Sequence, residues 1–238
     1  MKIAIMVDGG FFRRRIRHIL KNSVNLSDIQ SNEEIEADAK QCAYVLEQYC
    51  KKHLKMSRSW DCGNNTTYLY RIFYYDCPPL SGNVYHPLTK KTINFSKTTV
   101  YKWTNAFFNA LKCKRKFALR LGKLCSKQEF VLKQSAIKEL LNGRKTKDDL
   151  TEGDFEFSAQ QKGVDMRIGL DIASLSYKKL VDQIILISGD SDFVPASKLA
   201  RREGIDFILD AMNMGIEDDL NEHIDGLRSP GGKFKIKD

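Results

Sequence analysis

Ile184-Ile185-Leu186-Ile187-Ser188-Gly189-Asp190-Ser191-Asp192-Phe193 is the stretch on which the fold turns. Four apolar residues, three of them β-branched, form a short unbroken run. Such a run suits a strand buried on both faces, as in a parallel sheet. A polar turn follows at once. In open α/β sheets, ligands bind beyond the carboxyl ends of the strands. Asp190 and Asp192 stand at such an end, where they have little hydrophobic purpose.

Elements on either side agree with a parallel sheet. Downstream, Phe193–Arg202 reads as a helix closed by Arg201, Arg202 and Gly204. Ile205–Leu209 reads as another strand. Upstream, Lys162-Gly163-Val164-Asp165 opens a helix running to Tyr177, with Ile168, Ile172 and Leu175 on one face. At the N-terminus, Lys2–Val7 is a strand ending in Asp8-Gly9-Gly10. A helix from Phe11 to Leu20 follows, carrying Arg13, Arg14, Arg15 and Arg17. Ser31 and Glu34 form a capping box for the next helix. Thr67–Asp76 is an aromatic, β-rich strand stopped by Pro78 and Pro79. Residues 80–96 read as a surface loop, Thr98–Lys112 as a helix and Phe117–Gly122 as a strand. A short helix is expected near Ile137, a mobile polar segment at Asn142–Asp149, and a short strand at Phe155–Phe157. Alternating strands and helices predict a mainly parallel sheet with helices on both faces. The chain is expected to form one domain over residues 1–226, with a basic insertion around 80–150 and a flexible tail over 227–238.

Composition narrows the function. The net charge is +9, unevenly spread. Tyr101–Lys147 holds thirteen Lys or Arg against two acids, whereas Asp148–Asp225 holds eighteen acids against seven bases. A basic half beside an acidic half suits a polyanion surface next to a cation site, although solvated charge alone also explains it. Trp103, Phe107, Phe108 and Phe117 lie within the basic tract, and such a mixture can bind single-stranded RNA. Aromatics at helical spacing more often belong to a core. No run of about 18 apolar residues exists, so no membrane span is expected. The first residues read as a strand rather than a signal peptide. Six cysteines without a Cys-x-x-Cys pair argue against structural zinc and for reduced thiols in a cytoplasmic protein. His18, His53, His86 and His223 pair with no evident nucleophile.

Four acids fall where a parallel sheet gathers its strand ends: Asp8, Asp165, Asp190 and Asp192. Each has an ordinary explanation as a turn former, a cap or a dipole complement. Together they favour a shared site. Clustered carboxylates raise one another's pKa, and Mg²⁺ or Mn²⁺ relieves that conflict through hard oxygen ligands. Metal-assisted phosphodiester hydrolysis follows from such a site. Lys162 is a candidate phosphate contact. Asp171, six residues beyond Asp165, points about 120° away on a helix and is left out. Asp76 is a candidate for the rim.

Val7-Asp8-Gly9-Gly10-Phe11, Arg71–Pro79, Lys162-Gly163-Val164-Asp165 and Ser188–Phe193 resemble the motifs of NYN-domain proteins of the LabA-like type, which are PIN-like nucleases. The resemblance runs from residue 1 to about 225. It implies a three-layer α/β/α domain and a Mg²⁺-dependent ribonuclease-type site, with Asp8, Asp165, Asp190 and Asp192 as its acids. Some NYN nucleases carry an Asn three residues after the first Asp. Phe11 stands there in this chain, so any contact from that Asn is lost. The leading expectation is therefore a cytoplasmic, metal-dependent endoribonuclease acting on RNA, with tRNA and mRNA both open as substrates and a homo-oligomer not excluded by the sequence. A non-catalytic RNA-binding module of the same fold is the alternative. A haloacid-dehalogenase-type phosphatase ranks last, because Gly10 replaces the second Asp such an enzyme needs.

Overall fold

The computed structural model describes residues 1–19, 31–57 and 67–231. In chain order its elements are β1 (Lys2–Asp8), α1 (Gly9–Ile19), α2 (Asn32–Ser57), β2 (Tyr68–Asp76), β3 (Asn83–Tyr85), β4 (Thr92–Asn94), α3 (Thr99–Lys112), β5 (Phe117–Leu121), β6 (Lys123–Leu132), α4 (Gln134–Leu141), β7 (Phe155–Lys162), α5 (Val164–Tyr177), β8 (Gln183–Ile187), α6 (Val194–Arg202), β9 (Asp206–Asp210), α7 (Asp218–Glu222) and β10 (Gly226–Leu227).

Six strands form one sheet in the order β10-β9-β8-β1-β2-β5. Every pairing within it is parallel. Alternation along β1 divides the core. Ile3, Ile5 and Val7 face α1, α2 and α3, where they meet Phe12, Leu46, Phe107 and Phe108. Ala4 and Met6 face the opposite layer, which includes Ile168 and Ile172 of α5 and Ala200 of α6. This is the three-layer α/β/α arrangement with a parallel centre that the sequence predicts. All five residues of β8 are buried, as its apolar run requires. Trp103, Phe107 and Phe108 are core residues of α3 and are not exposed for RNA stacking.

The topology singles out one place on the sheet. From β1 the chain moves outward to β2 and β5, then returns to β8 on the other side of β1 and continues outward to β9 and β10. The direction reverses between β1 and β8, and a crevice opens beyond the carboxyl ends of strands at such a reversal.

The basic stretch around 80–150 is not one continuous excursion. α3 and β5 lie within it and belong to the central layers. Outside the main sheet stand two antiparallel pairs, β3 with β4 and β6 with β7. His86, Phe130, Phe155, Phe95 and Phe157 pack together between them. The segment expected to be mobile is instead closed by two consecutive 3₁₀ turns, each with a Thr–Asp capping box, at Thr146 with Asp149 and at Thr151 with Asp154. The tail also departs from expectation in its described part. Leu227 lies in β10, and the Ser229 hydroxyl donates to Asp210 Oδ1 at 2.6 Å. Residues 232–238, like the polar segment at 58–66, lie outside the described residues. Among those described, Cys50, Cys77 and Cys113 are free thiols, and no helix is long and apolar enough to cross a membrane.

Candidate active site

Asp8 ends β1 at the reversal point. It also starts α1, because its Oδ1 accepts the Phe11 N–H at 3.1 Å in the manner of an N-cap. Its Oδ2 accepts the Ser188 hydroxyl at 3.3 Å across the β1–β8 boundary. The carboxylate is therefore fixed by both sides of the crevice. Burial pushes its pKa up, against the pull of the Phe11 N–H, Arg14 and Ser188.

Asp190 and Asp192 follow β8. Asp190 is the N-cap of the 3₁₀ turn Ser191–Phe193, with its Oδ1 accepting the Asp192 N–H at 3.0 Å. Both side chains reach solvent. The turn is set close to α1 by Gly189: a Cβ there would stand 2.9 Å from the Phe11 ring. Phe11 itself is buried. Its side chain lines the crevice, while its backbone N–H holds Asp8.

Asp165 comes from the opposite layer. Gly163 precedes α5 with φ of +78°, a conformation that favours glycine. The next residues then start the helix and place Asp165 in its first turn. Its carboxyl pKa is raised, first by partial burial and then by the charges of Asp8, Asp190 and Asp192. Asp165 thus lies within electrostatic range of the other three acids. Lys162, at the end of β7, is exposed one residue before Gly163.

Other charged groups complete the edge. Arg14 and Arg15 line the crevice with Asp8, Ser188, Asp190 and Glu217. Arg15 Nη2 donates to the Met212 carbonyl at 3.0 Å, so its position is fixed. Asp76, at the end of β2, is fully buried and paired with Arg13 at 2.9 Å. It also accepts from the Tyr74 hydroxyl and the Cys77 N–H. Asp171 binds the Tyr75 hydroxyl at 2.8 Å and Arg120 at 3.3 Å, away from the four acids. Sequence reasoning missed Ser188 as a partner of Asp8, although a hydroxyl directly after a buried strand was visible. It also missed Asp210, which ends β9 but is wholly buried. Asp210 is held by Tyr49 at 2.6 Å, His53 at 2.8 Å and Ser229.

The donor set suits a hard divalent cation, since all four acids offer oxygen. No three of them bring carboxylate oxygens within 4.8 Å of one another. Among the described residues that spacing is met by Asp219, Glu222 and His223, which are surface groups on and after α7. The four acids are thus not gathered closely enough here for three of them to ligate one ion directly.

Residues 107–223 match the family model of the NYN domain. The match to the NYN domain covers just under half of the chain. NYN domains belong to the PIN-like nuclease superfamily, whose members usually use divalent metals. The matched segment holds Asp165, Asp190 and Asp192, while β1 and Asp8 join it through the sheet. No curated protein matches the sequence. A crystal structure of a protein of unknown function from Vibrio parahaemolyticus is similar over 95% of this chain and 90% of its own, with 14% identity and a TM-score of 0.42. A likeness at that level carries no functional argument.

Proposed function

We propose that this NYN protein is a metal-dependent endoribonuclease that hydrolyses RNA phosphodiester bonds at the edge formed by Asp8, Asp165, Asp190 and Asp192. The placement of Asp8 and Asp190 in one crevice, joined through Ser188, supports the reading, and Asp165 lies within electrostatic range of both and of Asp192.

Mg²⁺ or Mn²⁺ held by these acids would act as a Lewis acid and lower the pKa of bound water. The chain's own groups supply the rest. Ser188 and the Phe11 N–H fix the Asp8 carboxylate, so its free lone pairs keep one direction. The Asp192 N–H orients Asp190 in the same way. Arg14 stands beside Asp8 and offers positive charge to a phosphate oxygen. Lys162 supplies a second phosphate contact from the end of β7. In this reading residues 1–226 act as one PIN-like unit, the substrate is cytoplasmic RNA, and the basic tract provides affinity that weakens with salt.

The test is incubation of labelled RNA with purified protein in three arms: protein with Mg²⁺ or Mn²⁺, protein with EDTA, and Asp190→Asn with metal. Cleavage in the first arm alone is expected. Equal cleavage in all three overturns the assignment. RNA binding that survives in all arms without any cleavage supports the non-catalytic module instead.

A further inference from the structure

A second cleft, of about 340 Å³, is lined by residues of α1, the segment after β2, α3 and the β6–β7 pair. That volume is at the lower end of the range for small organic ligands. Phe95 and Phe157 form one wall, with ring centroids 4.7 Å apart. Tyr101, in the first turn of α3, also lines it. Thr98 fixes the two sides relative to each other: its hydroxyl donates to the Phe95 carbonyl at 2.7 Å and accepts the Tyr101 N–H at 3.3 Å. The aromatic surfaces are thus set before any ligand arrives.

The cleft adjoins the edge along α1, where Arg13 lines the cleft and the next residue, Arg14, lines the crevice at Asp8. Cys77 follows Asp76 directly, and its thiol feels the Asp165 charge. Arg13 is clamped to Asp76 and lies within electrostatic reach of Asp8. A guanidinium has five N–H donors, and the clamp uses one of Arg13's. The others are available to a phosphate or to a base carbonyl. Outside the cleft the charge is positive: exposed Lys97 lies between Phe95 and Thr98, and exposed Lys123 adjoins Leu124.

We propose that this cleft receives one unstacked nucleobase of the RNA strand whose phosphate lies at the four acids. An aromatic slot, a single pre-oriented guanidinium and a basic rim fit a flat π-system attached to a polyanion. They do not fit a purely aliphatic ligand, which would leave Arg13 without a partner for its remaining donors. Stacking tolerates any base, so the slot fixes the register of the strand against the carboxylates more than it reads sequence. Double-stranded RNA is excluded from this slot, because its bases are already paired and stacked. The assignment deepens the nuclease reading and rests on it for the position of the phosphate.

The experiment measures fluorescence anisotropy of a labelled ten-nucleotide oligouridylate in EDTA. Parent protein is compared with Phe157→Ala, which removes a wall, and Ala159→Leu, which fills the cleft from β7. Each variant is expected to bind about fivefold or more weakly, as the loss of one stacked base implies. In the parent, an abasic site scanned along the oligonucleotide should cost the same factor at one position. Parent-like binding by both variants overturns the proposal, as does an abasic scan without a sensitive position or a parent that fails to bind. Thermal melts identify a variant that does not fold, in which case the abasic scan of the parent decides. Cleavage is assayed separately with metal. Cleavage without cleft-dependent binding removes the base slot and leaves the nuclease, whereas cleft-dependent binding without cleavage does the reverse.

Discussion

Arg13→Ala tests how the carboxylate edge is held. Asp76 has no exposed side-chain surface, and Arg13, itself one quarter exposed, is its ionic partner at 2.9 Å. Removing one member of a buried ion pair costs about 3–5 kcal/mol, because the remaining charge is left uncompensated. Two features lower that figure. Arg13 already reaches solvent, so water can partly replace it. Asp76 also keeps the Cys77 N–H at 2.8 Å and the Tyr74 hydroxyl at 3.2 Å. The expected loss is about 2–3 kcal/mol, or a fall in Tm of about 4–12 °C for a chain of this size. Urea denaturation at pH 7 measures it. The sign with pH provides an independent check. Burial raises the Asp76 carboxyl pKa, while Arg13 is the largest influence lowering it. Without Arg13 the pKa rises further, and the deficit comes from the ionised form. It must therefore be complete above the raised value and shrink as pH falls and Asp76 takes up a proton. Adding Asp76→Asn to the variant should recover part of the loss at pH 7. A deficit under about 0.5 kcal/mol, typical of neutral surface changes, refutes the argument. So does a deficit that does not vary with pH, which would assign the cost to packing.

Two further outcomes follow from the same physics. Asp165 has a folded-state pKa above the ordinary carboxylate value, so its ionisation opposes folding. That penalty is absent below the ordinary value and grows as pH rises through the folded one. Asp165→Asn in EDTA should therefore be more stable than the parent at pH 7 and equal to it at strongly acid pH; greater stability at acid pH alone would reverse the sign and sink the account. Tyr49→Phe removes a buried 2.6 Å hydrogen bond to Asp210, and a loss of about 1.5–3 kcal/mol is expected for a bond to a charged group. An unchanged urea midpoint would mean that His53, Met212 and Ser229 satisfy Asp210 without the phenol.

What could be read in the sequence depended on how locally each feature is encoded. The Ile184–Ile187 run is buried on both faces and reads directly as a parallel strand. Strand-end acids are visible because a parallel sheet brings its carboxyl ends to one edge. Asp171 could be set aside from helix geometry, and it is engaged by Tyr75 and Arg120. β6 and β7 were largely missed. Lys123–Leu132 and Phe155–Lys162 are mixed, mostly polar strands outside the main core, and twenty-two intervening residues separate them, so neither alternation nor a tight turn announces the pair. Asp210 was invisible for a different reason. Its partners Tyr49 and His53 lie about 160 residues earlier, and only the packed fold shows that a strand-end acid serves as a buried lock there. Ser188 likewise acquires its role from a residue 180 positions away.

That last separation bears on how the protein comes into being. β1 sits inside the sheet, yet its neighbour β8 is made only after six other strands. At about 5–20 residues per second, the 180 residues between Asp8 and Ser188 take about 10–40 s to synthesise. Throughout that interval the first strand has one edge without its final partner, and the four acids cannot meet. Until β8 and the turn after it have been made, a nascent chain cannot bring the four acids together. The order in which the strands are laid down thus sets when the proposed site can first assemble.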